Sequence, residues 1–223
     1  VLNGGVGSGK TITALAYYWE RERGKDILVI TTVRKRDSLD WETEASLWGI
    51  GTKANATTAG VLTVDSWNNI SKYEGVRDCL VIFDEQRLVG SGAWVKSFLK
   101  IAERNSWILL SATPGDTWTD YIPLFVAHGF YKNRTELLRE HAVFSRFAKY
   151  PKIERWIGEG KLLGYRNRIL VHMPYAREAV REYHEVKVDT DKSQLDWILK
   201  KRWDIFEDEP CRDASHLFRV LRK

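Results

Sequence analysis

Cysteine is nearly absent from this sequence. The chain has two, Cys79 and Cys211, far apart and outside any Cys-x-x-Cys pair. That argues against a disulfide framework or a zinc site and suits a reducing compartment. The five histidines, His128, His141, His172, His184 and His216, show no metal-ligand spacing and read as structural or surface residues. No apolar run approaches the ~20 residues that a membrane-spanning helix needs, and no signal-peptide pattern opens the chain, so a cytoplasmic location and no membrane partner are expected. There is no internal repeat and no low-complexity tract. Nor does either sign of charge dominate: 35 bases against 30 acids give a net charge of +5. That balance is compatible with a polyanionic partner but is not that of a polybasic protein.

What is present is core-forming material. Apolar residues make up 43 % of the 223 residues, enough for one large α/β domain or one domain with an appendage. The ten tryptophans are mostly expected in the core or at interfaces.

The residues Gly4-Gly5-Val6-Gly7-Ser8-Gly9-Lys10-Thr11 fit G-x-x-x-x-G-K-[ST], the phosphate-binding loop of P-loop NTPases. Glycines let backbone N–H groups curl around a polyphosphate without Cβ clashes. Lys10 is suited to the β- and γ-phosphates and the Thr11 hydroxyl to Mg²⁺, while the helix that follows presents its positive end to the same anion. Downstream, Val81-Ile82-Phe83-Asp84-Glu85 is an apolar strand ending in two acids, the Walker B pattern. Asp84 suits a Mg²⁺-holding role, and Glu85 that of a base orienting and deprotonating water. No Asn-Lys-x-Asp guanine reader is present, so Mg-ATP is the expected ligand.

Along the chain, residues 1–3 read as a strand and 10–23 as a helix stopped at Gly24. Residues 26–32 read as a buried strand, 34–37 as a charged turn, 38–48 as a helix and 51–60 as a loop. Residues 61–64 suggest a strand, 65–72 a short helix, 79–83 a strand, 95–102 a helix and 106–110 a strand. This β-α alternation predicts a doubly wound parallel sheet with ligands at the strands' carboxyl ends. Beyond about Thr117 the rhythm breaks. Helices are expected at 122–129, 135–140, 195–206 and 214–221, and short strands at 168–173 and 185–188. The segment 149–168 mixes bases with Tyr150, Trp156 and Tyr165. It reads as a solvated helical face with a few core aromatics, with a nucleic-acid track as the alternative.

Taken together, these motifs resemble those of superfamily 2 helicases and translocases. Asp84-Glu85-Gln86-Arg87 stands where such motors carry Asp-Glu-x-His or Asp-Glu-x-Asp, with Arg87 departing from the box, and Ser111-Ala112-Thr113-Pro114 matches their Ser-Ala-Thr motif. Residues 38–44 (Ser-Leu-Asp-Trp-Glu-Thr-Glu) are similar to the Leu-x-x-Trp-x-x-Glu signature of the Swi/Snf type, and residues 63–67 (Thr-Val-Asp-Ser-Trp) to its Thr-Tyr-Asp-Ser segment, in wording close to phage-encoded members. Trp41 and Glu44 themselves read as packing and a helix-face acid.

The resemblance implies a RecA-like ATP-binding lobe over 1–120 and a mainly helical linker or accessory segment over 121–223. It implies that Ser111, Ala112 and Thr113 couple nucleotide state to movement, that Thr31, Thr32 and Arg34 grip nucleic-acid phosphates, and that Thr63 and Asp65 make a second grip. It also implies DNA, a second RecA-like lobe, and replication or recombination proteins as partners, in host cytoplasm if phage-encoded. The expected function is the first lobe of an ATP-dependent DNA helicase or double-strand translocase. The start at Val1, without methionine and almost inside the phosphate loop, suggests a piece of a longer protein. A DNA- or protein-docking module without turnover, or the motor subunit of a restriction complex, are the alternatives.

Overall fold

The computed structural model describes residues 1–52, 60–84, 88, 90–174 and 192–221. The chain divides into two compact units, Val1–Ala176 and Arg177–Lys223.

In chain order the first unit comprises β1 (Leu2–Asn3), α1 (Lys10–Tyr17), β2 (Ile27–Thr31), α2 (Val33–Asp37), α3 (Asp40–Ser46), β3 (Leu62–Ser66), β4 (Leu80–Asp84), α4 (Ala93–Ala102), β5 (Ser106–Ser111), α5 (Trp118–Ala127), α6 (Arg134–His141), β6 (Ala142–Phe144), β7 (Ile153–Trp156), α7 (Glu159–Ile169) and β8 (Val171–His172). Six of the described strands form one sheet in the order β3-β2-β4-β5-β1-β8, and every neighbouring pair in it is parallel. The fold is the expected α/β class, a parallel sheet flanked by helices with a mainly helical C-terminal part.

The apolar runs of β2 and β4 are buried on both faces, as a parallel sheet covered by helices requires. Alternation assigns the two sides. Val29, Ile82 and Leu110 pack with Ala14 and Leu15 of α1 and with Trp41 of α3. Leu28, Phe83 and Leu109 face the larger core, with Phe98 of α4, Phe125 of α5 and Leu162 of α7. Because α5, α6 and α7 share that core, the 120/121 boundary implied by the resemblance falls inside the first unit.

Local departures from the sequence reading have local causes. The charged turn at 34–37 is helical, because the Thr32 hydroxyl accepts the Lys35 N–H at 3.3 Å and caps α2. Leu39, at φ 56°, breaks the chain between α2 and α3. The helix expected over 10–23 continues past Tyr17 as a π-helical turn, Tyr18–Glu22. The strand expected over 168–173 is confined to β8, since α7 runs on to Ile169. Residues 149–168 do not form one helix: they divide between β7 and α7, and Tyr165 stacks on Phe130 at 4.2 Å. Residues 53–59 of the expected loop and the expected strand at 185–188 lie outside the described residues.

The second unit contains α8 (Lys192–Lys201), the antiparallel strands β9 (Trp203–Asp204) and β10 (Glu209–Pro210), and α9 (Ala214–Val220), around Ile198, Leu217 and Val220. The expected helix over 195–206 stops early because Arg202, at φ 52°, turns the chain into β9. Buried Asp204 accepts the backbone N–H groups of Phe206 and Glu207 on one oxygen and lies 2.7 Å from His216 Nε2 with the other. Among the described residues no helix is long and apolar enough to cross a membrane.

Candidate functional site

Parallel strands put their carboxyl ends on one edge, and the sequence loads that edge. Asn3 pairs with Ser111 and Asp84 with Leu110, so the ends of β1, β5 and β4 are adjacent. The Gly4 N–H donates to Ser111 O at 3.2 Å. The glycine-rich loop then turns through two left-handed residues, Gly7 and Gly9, both at φ 80°, a conformation costly for a residue with a Cβ. Gly9 is the N-cap of α1 and brings no side-chain cap, leaving the first-turn N–H groups to an external acceptor.

The resulting cleft, about 370 Å³, is lined by residues 6–12 together with Lys35, Glu44, Asp84, Ser111 and Ala112. It thus gathers Val6, Gly7, Ser8, Gly9, Lys10 and Thr11 with Asp84 and two residues of the Ser-Ala-Thr motif. Gly4 and Gly5 contribute through their carbonyls, which accept from Lys10 Nζ at 2.6 and 2.7 Å. Thr113 is exposed, and its N–H donates to Ser111 Oγ at 3.1 Å. Glu85, with Gln86 and Arg87, lies outside the described residues.

Asp84 is 1 % exposed, and a carboxylate that deep requires donors. Its Oδ2 accepts from Thr31 Oγ1, Lys35 Nζ and Trp41 Nε1, each at 3.0 Å. Its backbone carbonyl accepts from Trp67 Nε1 at 3.0 Å. Lys35 and Trp41 are therefore part of the site although the sequence reading gave neither a role there. Glu44 shares the cleft with Thr11 and Lys35, and a second hollow of about 290 Å³ continues past it to Trp41 and Asp40. The signal was the spacing of Trp41 and Glu44, three residues apart on one face of α3.

Replacing Trp41 by phenylalanine keeps the ring in the core but removes a donor to a buried charge. A loss of about 1.5–3 kcal/mol in urea unfolding is expected, against under about 0.5 kcal/mol for a change away from such a feature. Indistinguishable midpoints for Trp41→Phe and the unsubstituted chain would contradict this account of Asp84.

Of the residues expected to grip nucleic acid, Thr31, Thr32 and Asp65 lie at the adjacent carboxyl ends of β2 and β3, where Thr31 pairs with Ser66, and Thr63 lies toward the other end of β3. Thr31 is fully buried and its hydroxyl is committed to Asp84. Thr32 caps α2, and Arg34 is exposed on that helix. Thr63 lies near the start of β3, in a hollow with Asp26, Tyr73 and Cys79 at the far end of the sheet. Asp65 accepts from the Ser66 N–H at 2.7 Å, from Asn69 Nδ2 and Tyr73 OH at 2.8 Å, and from Arg36 Nη1 at 3.4 Å. Burial alone would raise its pKa, but these donors outweigh burial and hold it below the ordinary carboxylate range. Tyr73, half-buried and facing that carboxylate, is pushed up to about 12. Asp65 thus organises the turn after β3.

No family model matches the chain, and no curated protein matches it. Among solved structures it is similar to the crystal structure of the Pyrococcus furiosus Hef helicase domain. The identity is 18 % and the TM-score 0.40, over 65 % of this chain and 37 % of that one. The chain therefore spans little more than a third of that structure's length.

The cleft's residues fit a magnesium nucleotide. Ser8 Oγ is buried there without a partner. A Cβ on Gly4 would collide with that same hydroxyl, so the loop admits no larger residue at this point. The oxygen donors of Thr11 and Asp84 suit a hard cation. No group of three or more His, Cys, Asp or Glu able to hold a metal occurs among the described residues.

Proposed function

We propose that the chain is the nucleotide-binding lobe of an ATP-dependent DNA motor, a helicase or double-strand translocase of superfamily 2. One observation carries the reading: Lys10, Thr11, Asp84 and Ser111, from three separate strand ends, line a single cleft beside the uncapped start of α1. The sequence similarities at 38–44 and 63–67 support the finer Swi/Snf-like, phage-type assignment.

In this reading Lys10 exchanges the carbonyls of Gly4 and Gly5 for β- and γ-phosphate oxygens, and loop N–H groups complete the cradle. Thr11 and Asp84 would hold Mg²⁺, which would supply positive charge to the phosphates. Lys35, which pairs with Asp84 at 3.0 Å, would keep that buried carboxylate neutralised while no metal is held there. Glu85 follows Asp84 directly and is the residue to activate water. Ser111 and Ala112, which line the cleft, are in this reading the residues that sense the nucleotide, with Thr113 hydrogen-bonded to Ser111. DNA, a second RecA-like lobe, and replication or recombination proteins are the partners this reading requires.

The test is titration of the chain with a fluorescent ATP analogue, with and without Mg²⁺, followed by phosphate release with and without DNA. Mg²⁺-dependent binding that weakens about tenfold or more in Lys10→Ala, the scale of one charge-assisted hydrogen bond, is expected. Binding that ignores both the metal and Lys10 would overturn the nucleotide reading. Binding without DNA-stimulated release would favour a docking module over a motor lobe.

A further inference from the structure

The most exposed large apolar side chain of the described residues lies away from the cleft. Phe147 is 99 % exposed and Tyr150 is 73 % exposed. Both belong to residues 145–152, the loop joining β6 to β7. Those strands form an antiparallel ribbon set apart from the main sheet.

The ribbon is anchored at its root and closed at its tip. The Ile157 N–H donates to His141 O at 2.8 Å, and His141 Nδ1–H donates to Ile157 O at 2.7 Å. Buried His141 also lies 2.7 Å from Tyr131 OH through Nε2. The Ser145 N–H donates to Lys152 O at 2.9 Å, which closes the loop. The two aromatics are thus presented on a held support.

Charge selects the partner. Residues 145–152 (Ser-Arg-Phe-Ala-Lys-Tyr-Pro-Lys) contain three bases and no acid. Arg146, Lys149 and Lys152 are all exposed and alternate with Phe147 and Tyr150, and Lys149 Nζ lies 5.8 Å from the Tyr150 ring centre. An apolar protein partner would explain the rings without the bases, and a duplex would engage the bases while its own stacking hides the base faces. Only an unpaired strand offers phosphates and free base faces together.

We infer that the β6–β7 hairpin tip is a single-stranded nucleic-acid contact, with Phe147 and Tyr150 stacking on bases and Arg146, Lys149 and Lys152 meeting phosphates. The inference stands on the hairpin alone and holds whether or not the cleft turns over a nucleotide.

The test uses the full chain without nucleotide, titrated against fluorescent oligo-dT and against a blunt duplex of equal length over a range of salt. Phe147→Ala/Tyr150→Ala is expected to weaken oligo-dT binding at least about tenfold, given the worth of a stacked base. Duplex binding should be unchanged, as should far-UV dichroism, since both side chains are exposed. Phe147→Trp should retain binding. Arg146→Ala/Lys149→Ala/Lys152→Ala should flatten the salt dependence by up to about two units of slope, at roughly 0.7 for each single-strand phosphate no longer neutralised. Cross-linking with bromouracil-substituted oligonucleotide should label residues 145–155. Equal oligo-dT affinity after removal of both aromatics, equal losses for duplex and single strand, or cross-links only elsewhere would each overturn the proposal. So would a tip that binds an acidic protein but no oligonucleotide.

Discussion

Asp84→Asn is expected to lower Mg²⁺-dependent ATP hydrolysis by about 100-fold or more, the scale on which removing a single preorganised electrostatic element acts on a transition state. The isosteric amide keeps an oxygen that can accept from Thr31 and Trp41, which now reach Oδ2 at 3.0 Å each. It loses the charge that Lys35 meets at the same oxygen, in a salt bridge whose lysine side chain is 25 % and whose aspartate side chain is 2 % exposed. Two effects should therefore separate. Nucleotide binding should become insensitive to Mg²⁺. Stability should fall by about 1–3 kcal/mol, because an ammonium in a partly buried position loses the charge of Asp84. The paired variant Asp84→Asn/Lys35→Met removes both charges and should recover part of that stability while hydrolysis stays low. Phosphate release, a Mg²⁺ titration of analogue binding and urea unfolding measure the three quantities. Hydrolysis in Asp84→Asn that keeps its rate and its metal dependence would refute Asp84 as a metal ligand.

The contrast between what this site showed in sequence and what it hid is a contrast of range. The phosphate loop is contiguous, and its glycines, lysine and threonine are legible because their spacing alone states the chemistry. The strands β2, β4 and β5 are legible as apolar runs, and their order fixes which ends meet. The Asp84 network is not local. Trp41 and Asp84 are 43 residues apart, and the helical pattern of α3 says that the indole is buried without saying where its N–H finds an acceptor. Lys35 was hidden for a related reason: four charged residues in a row read as a turn, whereas the Thr32 cap makes them a helix that carries the ammonium to the carboxylate. The hairpin at 142–156 escaped notice because its strands are three and four residues long, too short for alternation to stand out. Thr31 makes the complementary point. A hydroxyl at a strand end is a plausible phosphate ligand until packing reveals that a buried carboxylate already holds it.

Phe83→Ala should be the most destabilising of these substitutions, by about 3–5 kcal/mol. Phe83 is fully buried in β4, which lies between β2 and β5. Its ring meets Phe98 edge-on at 4.9 Å, Trp67 at 5.6 Å and Trp107 at 6.4 Å. Truncation removes the apolar packing and leaves a void that three large rings, each held by its own element, cannot collapse to fill. The site should suffer in consequence, because Phe83 is the residue before Asp84 and Trp67 holds the Asp84 carbonyl. In a chain of this size such a loss lowers the melting temperature by roughly 6–20 °C, at about 2–4 °C per kcal/mol. Trp94 provides the control. It belongs to the same aromatic cluster, 6.1 Å from Trp67, but is 38 % exposed, so Trp94→Ala should cost clearly less. Phe83→Leu fills most of the space and should cost under about 1.5 kcal/mol if the loss is one of volume. Urea unfolding of the three variants ranks them. A Phe83→Ala chain as stable as Trp94→Ala would mean that the β4 core repacks around the void and that the position of Asp84 does not depend on it.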